Sequence, residues 1–350
     1  MNIFQFFDLI IEKKASDLHI LTGFYPAIRI NHEIYQLRTS QIFDEGTTNK
    51  LILSLLTEEQ KENFITNKEI DFGYEYKDYR FRCNAYFSRG KPAMAVRLID
   101  NKIKTIEELN LPSLMHDFAQ YEEGLILVIG PTGEGKSTTL ASIVNEINMK
   151  YARHIITIED PIEYVYPLGK SIISQRELHR DTHSWNIALR SALREDPDVV
   201  LIGEMRDYES IQLALTIAET GHLVFSTLHT GTTSEAINRI TDVFPAHQQD
   251  QIKSQLSSVL KAIVAQRLIP NIDKTSRIPA IEVLINNSAI AAIIREGRIH
   301  MLDNAVETGE EEKMILFEKY LVSLYDKGLI TKETALTYAL RQNIIKKLIR

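Results

Sequence analysis

The sequence predicts an α/β protein: a larger domain with a mostly parallel sheet, preceded by a smaller α+β domain and followed by a helical C-terminal region. Three observations carry this. Residues 124 to 140 read GLILVIGPTGEGKSTTL, which places a short apolar strand, a glycine loop and a helix start in direct succession. From residue 124 to residue 285, apolar runs alternate with helical stretches, the pattern of a parallel sheet covered on both faces. Residues 1 to 99 instead combine short strand candidates with helices, as in a small α+β unit. The expected division is 1–99, a polar linker at 100–112 that ends at Pro112, a core over 113–285 and a helical region over 286–350.

Composition narrows the class. The chain has 350 residues, 44% hydrophobic and 25% charged, as in ordinary globular proteins. No apolar run is long enough to span a bilayer. The N-terminal MNIFQFFDLIIEKK has Asp8 and Glu12 and no basic lead, so it reads as an amphipathic helix rather than a signal peptide. Cys83 is the single cysteine, which excludes disulfide staples and multi-cysteine zinc sites and fits a reduced compartment. The net charge of −7 argues against a large nucleic-acid-binding face.

In the first region a helix is expected to about Ala15, with strands at 17–21, 27–31 and 33–37 and a helical stretch over 39–56. Thr57 to Gln60 form a capping box that opens another helix. Strands follow at 70–76, 79–87 and 93–99, with a tight turn at Lys77-Asp78. The run YRFRCNAYF alternates: Phe81, Cys83, Ala85 and Phe87 share one face, and Arg80, Arg82, Asn84 and Tyr86 share the other. With Arg89 and Arg97 that second face is basic, either as a solvated strand face or as a functional one.

The P-loop Gly130 to Ser137 matches G-x-x-x-x-G-K-[ST]. A chance match over this length is on the order of 1% at ordinary residue frequencies. Its glycines let backbone N–H groups curl towards phosphate oxygens, and the following helix points its positive end at the same place. Lys136 is placed to reach the β- and γ-phosphates, and the Ser137 hydroxyl to ligate Mg²⁺, so the ligand is ATP or a related nucleotide.

Further on, His154 to Ile158 leads into Glu159, Asp160 and Glu163, acids expected at the end of a strand beside the P-loop strand, where one of them orients water or binds Mg²⁺ unless they are simply solvated. A strand from Asp198 ends in Glu204, in the form of a Walker B strand with Gly203 where aspartate often stands. A charge there rarely has a packing reason. The strand His222 to His229 carries a histidine at each end, and Thr227 and Thr230 are candidates for phosphate or water contact. Long helices are expected over 235–243 and 249–268, a strand over 280–285, and helices over 289–296, 312–325 and 332–340. The basic, amphipathic tail LRQNIIKKLIR reads as a terminal helix or as a surface-binding segment.

Taken together, ASDLHI (15–20), RFRCNAY (80–86), GPTGEGKSTTLAS (130–142), HIITIEDPIEYV (154–165), SQRELHRDT (174–182), ALRSALREDPDVVLIGEMRD (188–207) and AETGHLVFSTLHT (218–230) resemble the secretion ATPase superfamily, in its type IV pilus retraction branch. The resemblance covers nearly the whole chain. It implies a homohexamer of PAS-like N-terminal and RecA-like C-terminal domains that hydrolyses ATP with Mg²⁺ and powers pilus retraction and twitching motility. The implied setting is the cytoplasmic face of the inner membrane, with a pilus platform protein and a paralogous ATPase as partners and no nucleic acid. An accessory paralogue is the alternative identity, and a RecA-like nucleic-acid motor the alternative class.

By residue, the resemblance implies catalytic roles for Glu163, Glu204, Arg82, Arg97 and His229, with the choice of base between the two glutamates left open. It implies nucleotide contacts for Gly130, Pro131, Thr132, Gly133, Glu134, Gly135, Lys136, Ser137, Thr138 and His222, and metal contacts for Ser137 and Glu204. Two departures stand out. Glu134 occupies a position where the family pattern has serine, so its carboxylate is expected either to oppose the phosphates or to face solvent. The stretch AIAAIIREGR (289–298) has Ala291 where the retraction motif has arginine.

Overall fold

The structure, a computed structural model, describes residues 2–30, 33–38, 41–77, 79–99 and 102–349. Asn31, Thr39, Asp78, Asp100 and Asn101, which fall in expected elements, lie outside the described residues. The chain divides into two compact units, Met1–Lys102 with Pro161–Val165, and Ile103–Asp160 with Tyr166–Arg350.

The smaller unit runs α1 (Ile3–Lys13), β1 (Asp17–Leu21), β2 (Ala27–Ile30), β3 (Glu33–Gln36), α2 (Glu45–Leu53), α3 (Glu58–Asn67), β4 (Glu69–Tyr76), β5 (Tyr79–Ser88) and β6 (Lys91–Ile99). The strands form one antiparallel sheet in the order β3-β2-β1-β6-β5-β4. Alternation places Leu18, Ile20, Phe81, Cys83 and Ala85 in a core with Phe6, Phe7 and Ile10 of α1. The expected capping box forms: Gln60 N–H donates to the Thr57 hydroxyl, and the Gln60 side chain accepts from Thr57 N–H. The helical stretch expected over 39–56 shortens to α2, because Asp44 caps Thr47 N–H and starts the helix there. Arg80 departs from its expected place on a solvated face. It is 2% exposed, bound to Glu75 and donating from Nε to the Ile162 carbonyl at 2.8 Å, and so ties 161–165 to this unit.

The larger unit contains α4 (Met115–Phe118), β7 (Gly124–Ile129), α5 (Lys136–Lys150), β8 (His154–Glu159), β9 (Ile172–Glu177), α6 (Trp185–Ala192), β10 (Val199–Ile202), α7 (Tyr208–Glu219), β11 (Leu223–Leu228), α8 (Thr233–Asp242), α9 (Ala246–Val259), β12 (Leu260–Pro270) and β13 (Arg277–Ile285). It closes with α10 (Ser288–Arg295), α11 (Leu302–Thr308), α12 (Phe317–Asp326), α13 (Lys332–Tyr338) and α14 (Gln342–Leu348). The sheet order is β13-β12-β7-β11-β10-β8-β9, parallel throughout except for the β12–β13 hairpin. Both faces are buried. Leu125, Leu127 and Ile129 of β7 enter a core with α6 to α11, while Ile126 and Val128 enter one with α4, α5 and α12 to α14. From Ile103 the stretch read as a linker packs here, with Ile106 and Leu111 in the second core.

One expectation fails outright. The helix expected over 249–268 stops at Val259, and Leu260–Pro270 is a strand. Its near-continuous apolar run has no readable period, because Ile263 and Ala265 enter one core while Ala262 and Val264 enter the other. Tertiary pairing decides, since β7 would otherwise carry an unpaired buried edge.

The C-terminal tail is a docked helix: Ile345 and Ile349 are buried in the second core. Arg341 fastens it. Its guanidinium binds Glu282 at 2.9 Å, Glu318 at 3.0 Å and Asp303 at 3.2 Å, and both glutamate side chains are 0% exposed. Burial pushes the Glu282 carboxyl above the usual range, against the pull of Arg341. Arg341→Met therefore leaves buried carboxylates unpaired and is expected to cost about 3–5 kcal/mol in denaturant unfolding at neutral pH. An acid with a raised folded pKa favours folding in its protonated form, and this is lost as pH rises through the folded value. The deficit of the variant is expected to shrink as the pH is lowered towards the ordinary carboxylate range.

Candidate nucleotide-binding site

The P-loop strand β7, the histidine strand β11 and the acid strand β10 lie side by side, with Ile129 opposite Leu228 and Ser226 opposite Ile202. Their carboxyl ends open into one crevice, as expected for ligand sites of parallel sheets. Beyond β7 the chain curls through Gly130 and Gly135 at φ 152° and 75°. A Cβ at Gly130 would lie 2.4 Å from the Gln266 carbonyl oxygen, so only glycine fits. Gly135 is the N-cap of α5 and brings no side-chain cap, which leaves the first-turn N–H groups open to an anion.

Lys136 is only 7% exposed. Its ammonium donates to the carbonyls of Gly130 at 2.7 Å and Pro131 at 2.9 Å, and approaches His229 Nδ1 at 3.4 Å. An ammonium only donates, so Nδ1 accepts and the ring proton sits on Nε2. Nε2 then donates to Glu204 Oε2 at 3.0 Å. The other Glu204 oxygen binds Arg206, whose pKa is raised by that contact. Thr132 Oγ1 lies 3.3 Å from His229 Nδ1. Lysine, histidine and glutamate thus form one polar line across the crevice.

Glu204 is held by the strand exit. Gly203 N–H donates to the Ile158 carbonyl and Met205 N–H to the Thr227 carbonyl. The Thr227 hydroxyl donates to the Gly203 carbonyl at 2.7 Å, which makes Thr227 a strut rather than a phosphate contact. A cleft of about 690 Å³ adjoins the loop, lined by Pro131, Thr132, Glu204, Arg206, Thr230 and Arg239 among others. The Thr230 hydroxyl is buried with no hydrogen-bond partner among the described residues, and Arg239 has no ion pair among them. Both fit an oxyanion. The Ser137 hydroxyl, in the first turn of α5, and the Glu204 carboxylate are hard oxygen donors of the kind that suit Mg²⁺.

Sequence reasoning did not single out Arg206, Arg239 or Gln266. Arginine has no loop signature, and Gln266 lay in an expected helix. Its side chain accepts from the Thr139 hydroxyl and donates to the Glu134 carbonyl, both at 2.7 Å. Glu134 meets neither expectation: its carboxylate accepts from the Leu268 backbone N–H.

Other expected residues lie elsewhere. His222 immediately precedes β11, at the end away from the crevice, where its carbonyl accepts from Gly124 N–H and its ring lies against Ile217 O at 3.1 Å and Thr220 Oγ1 at 3.0 Å. The six residues of β11 separate it from His229, seven steps along the chain and about 23 Å. The strand carrying Glu159 is not beside β7, because β11 and β10 intervene. Glu163 belongs to the 161–165 stretch of the smaller unit. Arg82 and Arg97, on the smaller sheet, are direct cross-strand partners. Arg97 binds Asp17 at 2.9 Å, and Arg82 faces Asp71 at 3.8 Å.

The comparisons with known proteins agree with one another. Residues 3–349 match the profile described as type II/IV secretion system protein. The chain is 42% identical to the type IV pilus retraction ATPase PilT of Pseudomonas aeruginosa, over 96% of this chain and 97% of that protein. It is 38% identical to the type IV pilus ATPase PilU of the same organism, over 98% and 90%. A crystal structure of the pilus retraction motor PilT with bound ADP superposes with a TM-score of 0.91 at 42% identity, covering 99% of both chains. No helix among the described residues is long and apolar enough to cross a membrane. By its profile and by these identities, the chain belongs to the type II/IV secretion system protein family.

Proposed function

We propose that this chain is an ATP-hydrolysing motor of a type IV pilus, and that it works in retraction. The observation that carries the reading is the continuous line from Lys136 through His229 to Glu204 across a glycine cradle built for phosphates. The relatives support the mechanical role, and the identity to PilT exceeds that to PilU.

When bound, Mg²⁺ would be held by Ser137 and Glu204 and would offset phosphate charge. Backbone N–H groups at the start of α5 bind phosphate oxygens, and Lys136 exchanges its loop carbonyls for them. His229 carries its proton on Nε2, holds Glu204 in place and leaves Nδ1 facing the lysine. Glu204, fixed on its other oxygen by Arg206, orients water. For Glu163 as the alternative base, and for Arg82 and Arg97 as charge-neutralising groups, the support is the resemblance of their stretches. A homohexamer working with an inner-membrane pilus platform protein completes the proposal.

Three measurements test this. Glu204→Gln is expected to lower kcat by about 10²-fold or more with nucleotide affinity retained, and full ATPase activity would remove Glu204 from the mechanism. Arg82→Ala and Arg97→Ala are each expected to lower kcat by about 10³-fold if they act on transition-state charge, whereas unchanged turnover returns them to a solvated face. ATPase activity should appear in a species near six times the 40.1 kDa chain and ignore single-stranded DNA. Activity in the monomer, or strong stimulation by DNA, would favour a single-subunit enzyme or a nucleic-acid motor.

A further inference from the structure

We propose that Glu134 is a positioning residue: its carboxylate replaces the strand that β7 no longer supplies, pins the phosphate loop to β12, and so presets the loop for nucleotide. The inference rests on the nucleotide-binding reading above.

The need for such a residue comes from the sheet. β7 pairs with β12 only as far as Ile129 opposite Ala265, while β12 continues to Pro270. Past that point β7 has become the phosphate loop, and backbone groups on that side of β12 have lost their ladder. The loop supplies the substitutes. Gly130 packs so closely on the Gln266 carbonyl oxygen that no Cβ could intervene. The Leu268 N–H donates to the Glu134 carboxylate. Gln266, 2% exposed, then donates from Nε2 to the Glu134 carbonyl at 2.7 Å and accepts at Oε1 from Thr139 of α5 at 2.7 Å. Glu134 is therefore held by its side chain and by its own backbone, one residue before the helix cap Gly135. Pro131, Thr132 and Gly133 on the other limb of the loop are exposed, so the clamp is what sets this limb.

The charge makes the inference decidable. If the carboxylate chiefly repelled phosphates, removing it would tighten binding. If it chiefly anchors the loop, removing it weakens binding, because part of the binding free energy is then used to order the loop. A charge-assisted hydrogen bond to a backbone N–H is strong enough for an effect of about tenfold.

The test uses the full-length chain with Glu134→Ala, Glu134→Ser and Glu134→Gln, titrated with Mg-ADP and assayed with Mg-ATP. Expected are a rise of about tenfold in the ADP Kd and the ATP KM for the alanine and serine variants, with kcat nearly kept, and partial rescue by glutamine, which retains an acceptor of the same length. Tighter ADP binding in all three variants would overturn the proposal in favour of repulsion. Hydrogen exchange at the Leu268 amide of the nucleotide-free protein is a separate readout: faster exchange in Glu134→Ala supports the clamp, and unchanged exchange overturns it. Failure of the unsubstituted protein to bind Mg-ADP would instead overturn the nucleotide-binding reading, and the amide exchange would still decide the clamp.

Discussion

A lysine ammonium with 7% exposure dominates the larger unit. A buried cation is tolerated only where oxygens or lone pairs replace its water. Here the loop itself provides them, and this explains several features at once. The Gly130 and Pro131 carbonyls turn inward because the glycine backbone permits it. His229 is held in the tautomer that presents a lone pair to the lysine, and its other nitrogen then reaches Glu204. Phosphate oxygens are stronger partners for an ammonium than carbonyls, so on the proposed reading a nucleotide would replace the lysine's partners without exposing its charge. A change at Lys136 is thereby felt at His229 and Glu204 through direct contacts.

The β12–β13 hairpin carries the second constraint. On one side it meets the phosphate loop through Gln266 and the Leu268 N–H. On the neighbouring strand Glu282, opposite Ala265, meets Arg341 and with it the C-terminal helices. The antiparallel edge therefore holds the loop and also anchors the end of the chain. This packing accounts for Arg341, Ile345 and Ile349 of the tail, while Lys346 and Lys347 stay exposed.

Much of this was legible in the sequence, and what was hidden shares a cause. The P-loop, the Walker-type strand ending and the capping box at Thr57 are local signals, and each forms where expected. The fate of residues 260–268 depended on two cores and two neighbouring strands, none of which is visible in a window of sequence. Strand order was equally hidden: adjacency along the chain put β8 beside β7, but the crossover pattern puts β11 and β10 between them. His222 and His229 look equivalent as the two ends of one strand, yet only the carboxyl end faces the crevice. Glu134 was misjudged because a loop acid reads as solvated until the strand it caps is known.

The arginines of the smaller sheet show how energetics separates two readings that residue type leaves level. Arg82 and Arg97 stand directly opposite each other on β5 and β6, an arrangement that destabilises a sheet unless the charge is answered. It is answered by Asp17 and Asp71. Burial alone would raise the Asp17 carboxyl, yet hydrogen bonds from Arg97 and Ser16 hold it below its usual range. Arg97 nevertheless keeps 69% of its side-chain surface exposed, so its remaining donors are open to a further anion. With an acid beside each arginine, the pair is satisfied as an exposed strand face on its own account, and the surface that Arg97 keeps exposed is what the proposed charge-neutralising role would use.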